Sequence, residues 1–161
     1  MLISVSRIPR IISCMELFLE SSYRHPSEQF LGCALLNDPW LLNRVKKINS
    51  IGTNTGEYVL YWMQSSQRAE HNQALEYATK EANRRNQPLL VYFGLTEYPE
   101  ANTRHYRFML EGIAETSENL WEHGAQLKIE HKNPAEGCVK HSEKASLVVL
   151  DRGYQRTQRY W

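Results

Sequence analysis

The chain has 161 residues, of which 42% are hydrophobic and 23% are charged, and its formal net charge is +1. This balance is typical of a globular protein and excludes a fibre or a largely disordered chain, and the length suits one compact domain. The near-neutral charge makes the chain a poor candidate for binding DNA through phosphates alone, because such binding needs a basic face.

Residues 1–50 predict an N-terminal extension that is partly disordered or helical, with an amphipathic stretch at residues 11–19. That stretch contains Glu16 and is too short to span a bilayer. The alternatives are a functional arm, translated sequence upstream of a start at Met15, or an organelle transit peptide suggested by Arg7 and Arg10.

The turn-rich segment 52–56 marks a boundary, and residues 51–161 are predicted to form a second unit with a regular pattern of strands and helices. Residues 57–63 are aromatic and β-branched and predict a buried strand. Ser65 or Ser66 is the predicted N-cap of a following helix, whose core face holds Leu75, Ala78 and Ala82.

Residues 88–95 predict a second strand, buried on both faces, and residues 126–130 predict a third, half-exposed one. Between them, Asn102 or Thr103 caps a helix that ends at Gly124. The predicted apolar face of this helix comprises Tyr106, Met109, Leu110, Ile113, Leu120 and Trp121.

A short helix opening at Pro134 and extending to about residue 144, then a strand at 146–151, complete the order βαβαβαβ. Strands that alternate with helices predict an α/β fold, a Rossmann-like doubly wound parallel sheet that is truncated here before a fifth strand. Residues 146–151 would then be an uncovered apolar edge that favours aggregation. Ligands of such sheets bind beyond the carboxyl ends of the strands, where the strand order reverses.

The loop 64–70 after the first strand contains no glycine, so a conventional NAD site or Walker loop is not expected. No G-x-S-x-G elbow occurs, which argues against a hydrolase. The six histidines lack a helical zinc spacing, and the cysteines have no C-x-x-C pair. We therefore expect no metal, no membrane partner and an intracellular location, cytoplasmic or, in a eukaryote, nuclear.

The segment Tyr61-Trp-Met-Gln-Ser-Ser-Gln-Arg-Ala-Glu-His-Asn-Gln-Ala-Leu75 resembles the amino-terminal α/β domain of the photolyase/cryptochrome superfamily, and within it the class II cyclobutane pyrimidine dimer photolyases. Blocks at 91–96, 104–112 and 150–154 agree with this family in order and spacing, and the resemblance covers about residues 38–161. The chain departs from the family at His71, where an acidic residue is usual.

This resemblance implies light-driven repair of cyclobutane pyrimidine dimers by a reduced FAD, which the family holds in a helical carboxyl-terminal domain. This chain is expected to contain no catalytic residue and to be inactive alone. Its expected partner is a missing or separately encoded helical FAD domain, through which alone it would meet damaged DNA. The alternative is a cryptochrome-like or stand-alone antenna-binding module without repair activity.

The α/β domain of such proteins can also hold a deazaflavin or folate antenna. The resemblance and the switch-point rule together give six candidate contacts: Met63, Gln67, Arg68, Asn72, Asp151 and Arg152. Each has a structural alternative, such as a core position for Met63 and a loop hydrogen bond for Asn72. The stretch 152–161 is expected to begin the next helix, although its mixture of cations and aromatics can also bind single strands.

Overall fold

The computed structural model describes residues 44–49, 55–98 and 100–161. Within these ranges, four strands form one sheet: β1 (Tyr58–Trp62), β2 (Leu89–Leu95), β3 (Gln126–His131) and β4 (Ala145–Leu150). In the same described ranges, four helices alternate with or follow these strands: α1 (Gln73–Arg85), α2 (Thr103–Glu122), α3 (Pro134–Ser142) and α4 (Arg156–Tyr160). The predicted extension up to residue 43 and most of the predicted turn at 52–56 lie outside the described residues.

The sheet is parallel throughout and has the strand order β3-β2-β1-β4. The chain moves outward from β1 through β2 to β3, and then crosses back so that β4 pairs with the other side of β1. This reversal confirms the predicted Rossmann-like doubly wound α/β fold. It also places β4 at a sheet edge within the described residues, as predicted, whereas the fifth strand stays a prediction.

The two faces of the sheet are covered by different helices. Helices α1 and α2 cover the face that carries Val59, Tyr61, Val91 and Val149, and the largest cluster of buried apolar residues lies there. Helix α3 covers the opposite face, where Tyr58, Leu60, Tyr92 and Ala145 pack against Cys138. Because β1 and β2 are covered on both faces, both are continuous apolar runs, as a parallel sheet requires.

Helix α1 begins later than predicted, since its N-cap is Asn72 and not Ser65 or Ser66. The Asn72 side chain accepts a hydrogen bond from the Leu75 amide, and residues 64–71 form a loop. The three predicted core residues of α1, Leu75, Ala78 and Ala82, are all buried. The predicted cap of α2 at Asn102 is confirmed, with a capping box completed by the side chain of His105.

The predicted apolar face of α2 is wrong at two positions, because Leu110 and Trp121 are 42% and 57% exposed. Ile113, Thr116 and Leu120 form the buried stripe. Helix α2 lies over the edge strand β3, beyond which the described sheet offers nothing to cover a wider stripe. A residue can therefore lie near the apolar face in sequence and still face water.

Candidate functional site

The carboxyl ends of β1 and β4 meet where the strand order reverses, which is the place where ligands of doubly wound sheets bind. Met63 follows β1 directly, and Asp151 follows β4 directly. The loop 63–72 joins β1 to α1 and lies beside Asp151. All six predicted contacts belong to this loop or to the start of the segment after β4.

Asp151 connects β4 to this loop. One oxygen of its carboxylate, Oδ2, accepts a hydrogen bond of 2.9 Å from the Tyr61 hydroxyl and one of 3.3 Å from the Ser66 amide. Tyr61 is fully buried, so its hydroxyl needs partners within the protein. The pair thus joins residues 90 positions apart in the sequence and links the carboxyl ends of the two strands.

Asn72 completes what we call the Tyr61 network, formed by Tyr61, Ser66, Asn72 and Asp151. Its side-chain amide donates to the Tyr61 hydroxyl at 3.0 Å, to the Ser66 carbonyl at 3.0 Å and to the Arg68 carbonyl at 3.1 Å. Its side-chain oxygen caps α1 at Leu75. Asn72 is only 2% exposed, and the same side chain therefore fixes both the loop and the start of the helix.

Gln64 is a positioning residue that the sequence reasoning missed. Its amide donates to the Gly94 carbonyl at 2.9 Å, and its side-chain oxygen accepts from the Gly94 amide and from the Trp62 indole, each at 3.1 Å. These bonds join the carboxyl ends of β1 and β2. A polar side chain directly after a buried strand was the signal that could have identified it.

The six predicted contacts fall into two groups. Met63 and Asn72, at 1% and 2% exposure, are enclosed by the protein, and Asp151 is half-buried. The other three are exposed: Gln67, Arg68 and Arg152. Arg68 donates to the His71 carbonyl at 3.0 Å, whereas Gln67 donates to the Gln64 carbonyl at 3.3 Å. A ligand could reach these three side chains without opening the network.

The electrostatics of the network favour an uncharged phenol and a shielded carboxylate. Burial raises the pKa of Tyr61 far above its ordinary value, and the neighbouring Asp151 carboxylate raises it further. Burial also raises the pKa of Asp151, although the hydrogen bonds from Tyr61 and Ser66 oppose this change. Because both groups are enclosed and hydrogen-bonded, the arrangement is suited to holding the loop in place, and it presents no exposed acid–base pair.

Elsewhere in the described ranges, no group of three or more histidine, cysteine or carboxylate side chains gathers to hold a metal ion. Nor is any helix there both long enough and apolar enough to cross a membrane. A shallow groove lies between the end of α2 and the start of β3, lined by Trp121, Gln126 and Leu127 among others. It is at the amino end of the sheet and therefore away from the Tyr61 network.

A family profile described as DNA photolyase matches residues 59–161 of the chain. Among solved structures, a protein from the universal stress protein family from Burkholderia pseudomallei matches 66% of this chain and 88% of its own, with 16% identity and a TM-score of 0.40. A structural likeness at that level carries no argument about function.

Curated relatives carry the same family name. The deoxyribodipyrimidine photo-lyase of Methanothermobacter thermautotrophicus is 48% identical over 107 residues, which are 66% of this chain and 24% of that protein. Proteins of that name from Arabidopsis thaliana and Potorous tridactylus are 43% and 42% identical over 56 and 60 residues, covering 34% and 37% of this chain and 11% of each protein. The chain thus spans about a quarter or less of these relatives. It belongs to the DNA photolyase family.

Proposed function

We propose that this chain is the amino-terminal α/β part of a class II DNA photolyase, a protein that repairs cyclobutane pyrimidine dimers in light together with a helical, FAD-binding domain. The observation that carries the proposal is the Tyr61 network. It brings together Tyr61 and Asn72 from the class II-like segment and Asp151 from the last resembling block. Three residues of the resembling blocks thus meet at the switch point.

In this proposal, the α/β part serves as a scaffold and binds an antenna chromophore. The described loop after β1 has no glycine-rich turn of the kind that binds a dinucleotide pyrophosphate, and in the family that the sequence resembles a helical domain binds the flavin. When bound there, the reduced flavin supplies the electron that opens the dimer. Nothing in the Tyr61 network is expected to touch the lesion.

The antenna surface we propose is the exposed rim formed by Gln67, Arg68 and Arg152. Two guanidinium groups and one amide can donate hydrogen bonds to the carbonyl or acidic groups of a deazaflavin or folate. Of the other predicted contacts, Met63 and Asn72 are buried beneath the loop 63–72, and Asp151 accepts a hydrogen bond from the Ser66 amide of that loop. Their effect on the antenna would therefore be indirect.

A chimera tests the repair function. The matching 107-residue segment of the Methanothermobacter relative is replaced by the segment from this chain, and light-dependent reversal of pyrimidine dimers is measured. We expect the chimera to bind FAD and repair dimers at a rate within about tenfold of the parent, since the scaffold is retained. A chimera that folds and binds FAD but repairs nothing would overturn the proposal.

Absorbance and fluorescence titrations test the antenna site on the 161-residue chain itself. Deazaflavin or folate is added to the wild type, to Arg68→Gln and to Arg152→Gln. We expect each variant to bind about tenfold more weakly, because a charge-assisted hydrogen bond is lost. Arg107→Gln is the control, since Arg107 is an exposed residue of α2 paired with Glu111. Failure of both chromophores to bind would defeat the antenna role, and antenna binding without repair by the chimera would favour a stand-alone module.

A further inference from the structure

The outer edge of β3 is open within the described residues, where β3 pairs with β2 alone. The Lys132 amide, directly after β3, donates to the Leu95 carbonyl at 3.0 Å. Because the backbone groups of successive strand residues point to opposite sides, every second amide of β3 faces β2 and the others face outward. The outward-facing amides and carbonyls belong to Leu127, Ile129 and His131, and they are a template for a further strand.

This edge lies on the opposite side of the sheet from the residues that follow β4. From β3 the chain passes through α3 and crosses back to β4, which pairs with β1. The strands β2 and β1 therefore separate β3 from β4 and from the segment after it. A strand that extended the sheet beyond β4 would leave the edge of β3 open.

Apolar side chains are exposed along the same edge. Ile129 is 43% exposed and lies on the same sheet face as Leu127, which packs in the cluster beneath α1 and α2. Leu110 and Trp121, at 42% and 57% exposure, lie about three turns apart and so share one side of α2. Trp121 and Leu127 line the shallow groove between α2 and β3. This side of α2 therefore borders the open edge.

The charges of β3 favour a second copy of this chain as the occupant of the edge. Two copies of one strand can pair antiparallel across a two-fold axis, and residues that lie opposite each other then share a face of the sheet. With the axis at Ile129, Lys128 of each copy lies opposite Glu130 of the other. Lys128 Nζ and Glu130 Oε1 of one strand are already 3.6 Å apart, so four charges of alternating sign would surround the axis.

The backbone is compatible with this register. The outward amide and carbonyl of Ile129 can bond to those of Ile129 in the second copy, and those of Leu127 to those of His131. Lys128 and Glu130 then occupy non-hydrogen-bonded positions, where opposing side chains are closest. An axis at Lys128 would oppose two lysines, and an axis at Glu130 would oppose two glutamates, which is destabilising. Of these three registers, the one centred on Ile129 alone brings opposite charges together.

We propose that two copies of this chain associate by antiparallel pairing of β3 about a two-fold axis at Ile129, which joins their two sheets into one continuous sheet. Leu110 and Trp121 of each α2 lie along the contact. The proposal does not depend on the repair function. Since β3 has six residues, the buried area is at the small end for specific interfaces, and we expect a dissociation constant on the order of 10–100 µM.

Sedimentation equilibrium of the 161-residue chain from about 1 to 500 µM measures the association. Lys128→Glu surrounds the axis with glutamates and Glu130→Lys surrounds it with lysines, so each variant alone should associate about tenfold more weakly or worse. An equimolar mixture of the two restores opposite charges between copies and should associate about as tightly as the wild type. Mixing could not rescue a loss that was caused by damage to the fold.

Lys144→Glu is the matched control. Lys144 lies directly before β4, has a carboxylate neighbour at 3.8 Å, and its side chain is 31% exposed, against 3.6 Å and 38% for Lys128. This variant should change the dissociation constant less than about twofold. A wild-type chain that stays monomeric at about 500 µM would overturn the proposal. So would a dimer that Lys128→Glu leaves unchanged, or a mixture of the two charge variants that associates no better than either alone.

Amide hydrogen exchange identifies the edge that is used. The outward amides of Leu127, Ile129 and His131 should exchange about fourfold more slowly at 500 µM than at 5 µM, because the dimer is then the major species. The amides of Lys128 and Glu130 face β2 in both states and should respond less. Concentration-dependent protection confined to β4 would assign the association to the opposite edge and contradict the proposal.

Discussion

Two buried polar clusters lie on opposite faces of the same sheet and are organised differently. In the Tyr61 network, no enclosed side-chain atom lacks a hydrogen-bond partner. The second, which we call the Tyr92 cluster, consists of Tyr92, Lys128, Glu130 and His141 beneath α3. There the Tyr92 hydroxyl has no partner among the described residues, and His141 Nε2 lies 3.2 Å from Glu130 Oε1 without the alignment of a hydrogen bond.

The two clusters contribute to stability in different ways. The Tyr61 network fixes a loop through directional bonds, and removal of the Tyr61, Asn72 or Asp151 side chain takes a hydrogen bond from a polar group of the network. The Tyr92 cluster depends on shape, because Gly137 of α3 leaves just enough room for the Tyr92 hydroxyl. We therefore expect loss of polar groups to matter at the first cluster and added volume to matter at the second.

The largest expected effect is that of Asn72→Ala. This change removes the cap of α1 and the amide that donates to the Tyr61 hydroxyl and to the Ser66 carbonyl, so the free energy of unfolding should fall by about 3 kcal/mol. The control is Asn133→Ala, which removes only an exposed cap of α3 and should cost about 1 kcal/mol. Urea unfolding measures both, and equal losses would show that the network adds nothing beyond a cap.

Gly137→Ala tests the shape of the Tyr92 cluster. An added Cβ would lie 1.7 Å from the Tyr92 hydroxyl oxygen and 2.5 Å from the adjoining ring carbon, so we expect a loss of about 2 kcal/mol despite the better helix propensity of alanine. The matched control is Gly112→Ala in α2, where a Cβ meets nothing within 4 Å and stability should rise by about 0.5–1 kcal/mol. Thermal unfolding that showed the same sign for both variants would contradict this account.

Removal of one tyrosine hydroxyl from each cluster tests whether hydrogen bonds stabilise the first cluster and not the second. Tyr61→Phe should lower the free energy of unfolding by about 1–1.5 kcal/mol, because Asp151 and Asn72 each lose a hydrogen bond. Tyr92→Phe removes a hydroxyl that has no partner and should be neutral or slightly stabilising. Should Tyr92→Phe prove the more harmful of the two in urea unfolding, the contrast between the clusters would be lost.

The smallest expected effects are opposite responses to pH. Burial raises the pKa of Asp151 in the folded state above its value of about 3.8 in the unfolded state. The contribution of Asp151 to stability is therefore full below pH 3.8 and is lost as the pH rises through the folded-state pKa. Burial lowers the pKa of His141, against the opposing influence of Glu130 and together with Lys128 and Lys140. The contribution of His141 to stability is therefore full above the unfolded-state pKa of about 6.5 and is lost as the pH falls through the folded-state pKa.

Two variants separate these responses. His141→Gln should lessen the loss of stability between about pH 7 and pH 5, although the lowered pKa of Glu130 adds a loss of its own at more acid pH. Asp151→Asn should remove the decline that begins above about pH 4. Unfolding by urea at a series of pH values measures both. Parallel pH profiles for the wild type and His141→Gln would rule out the assignment to His141.

Sequence reasoning succeeded where one short segment contains the whole signal. The aromatic and β-branched run at β1 and the cap at Asn102 are local features, and both were predicted. It failed where a choice depended on distant residues. Ser65, Ser66 and Asn72 are all plausible caps, and Asn72 is the cap because Tyr61 and the loop carbonyls also use its amide.

The exposure of Trp121 shows the same limit of local sequence patterns. Its spacing within α2 predicted a buried position, and it is exposed because α2 lies over an edge strand. Likewise, the switch-point rule identified Asp151 as a residue at the site. Only the fold showed that its carboxylate is already engaged by Tyr61 and Ser66.

By itself, the sequence determined the alternation of strands and helices and hence the doubly wound sheet, because hydrophobic period and chain order are local and sequential properties. The resemblance in four ordered blocks determined the photolyase family. The tertiary structure decided which predicted contacts are accessible, leaving Gln67, Arg68 and Arg152 at the surface while Met63 and Asn72 are enclosed. That division depends on hydrogen bonds between residues up to 90 positions apart, which no local pattern encodes.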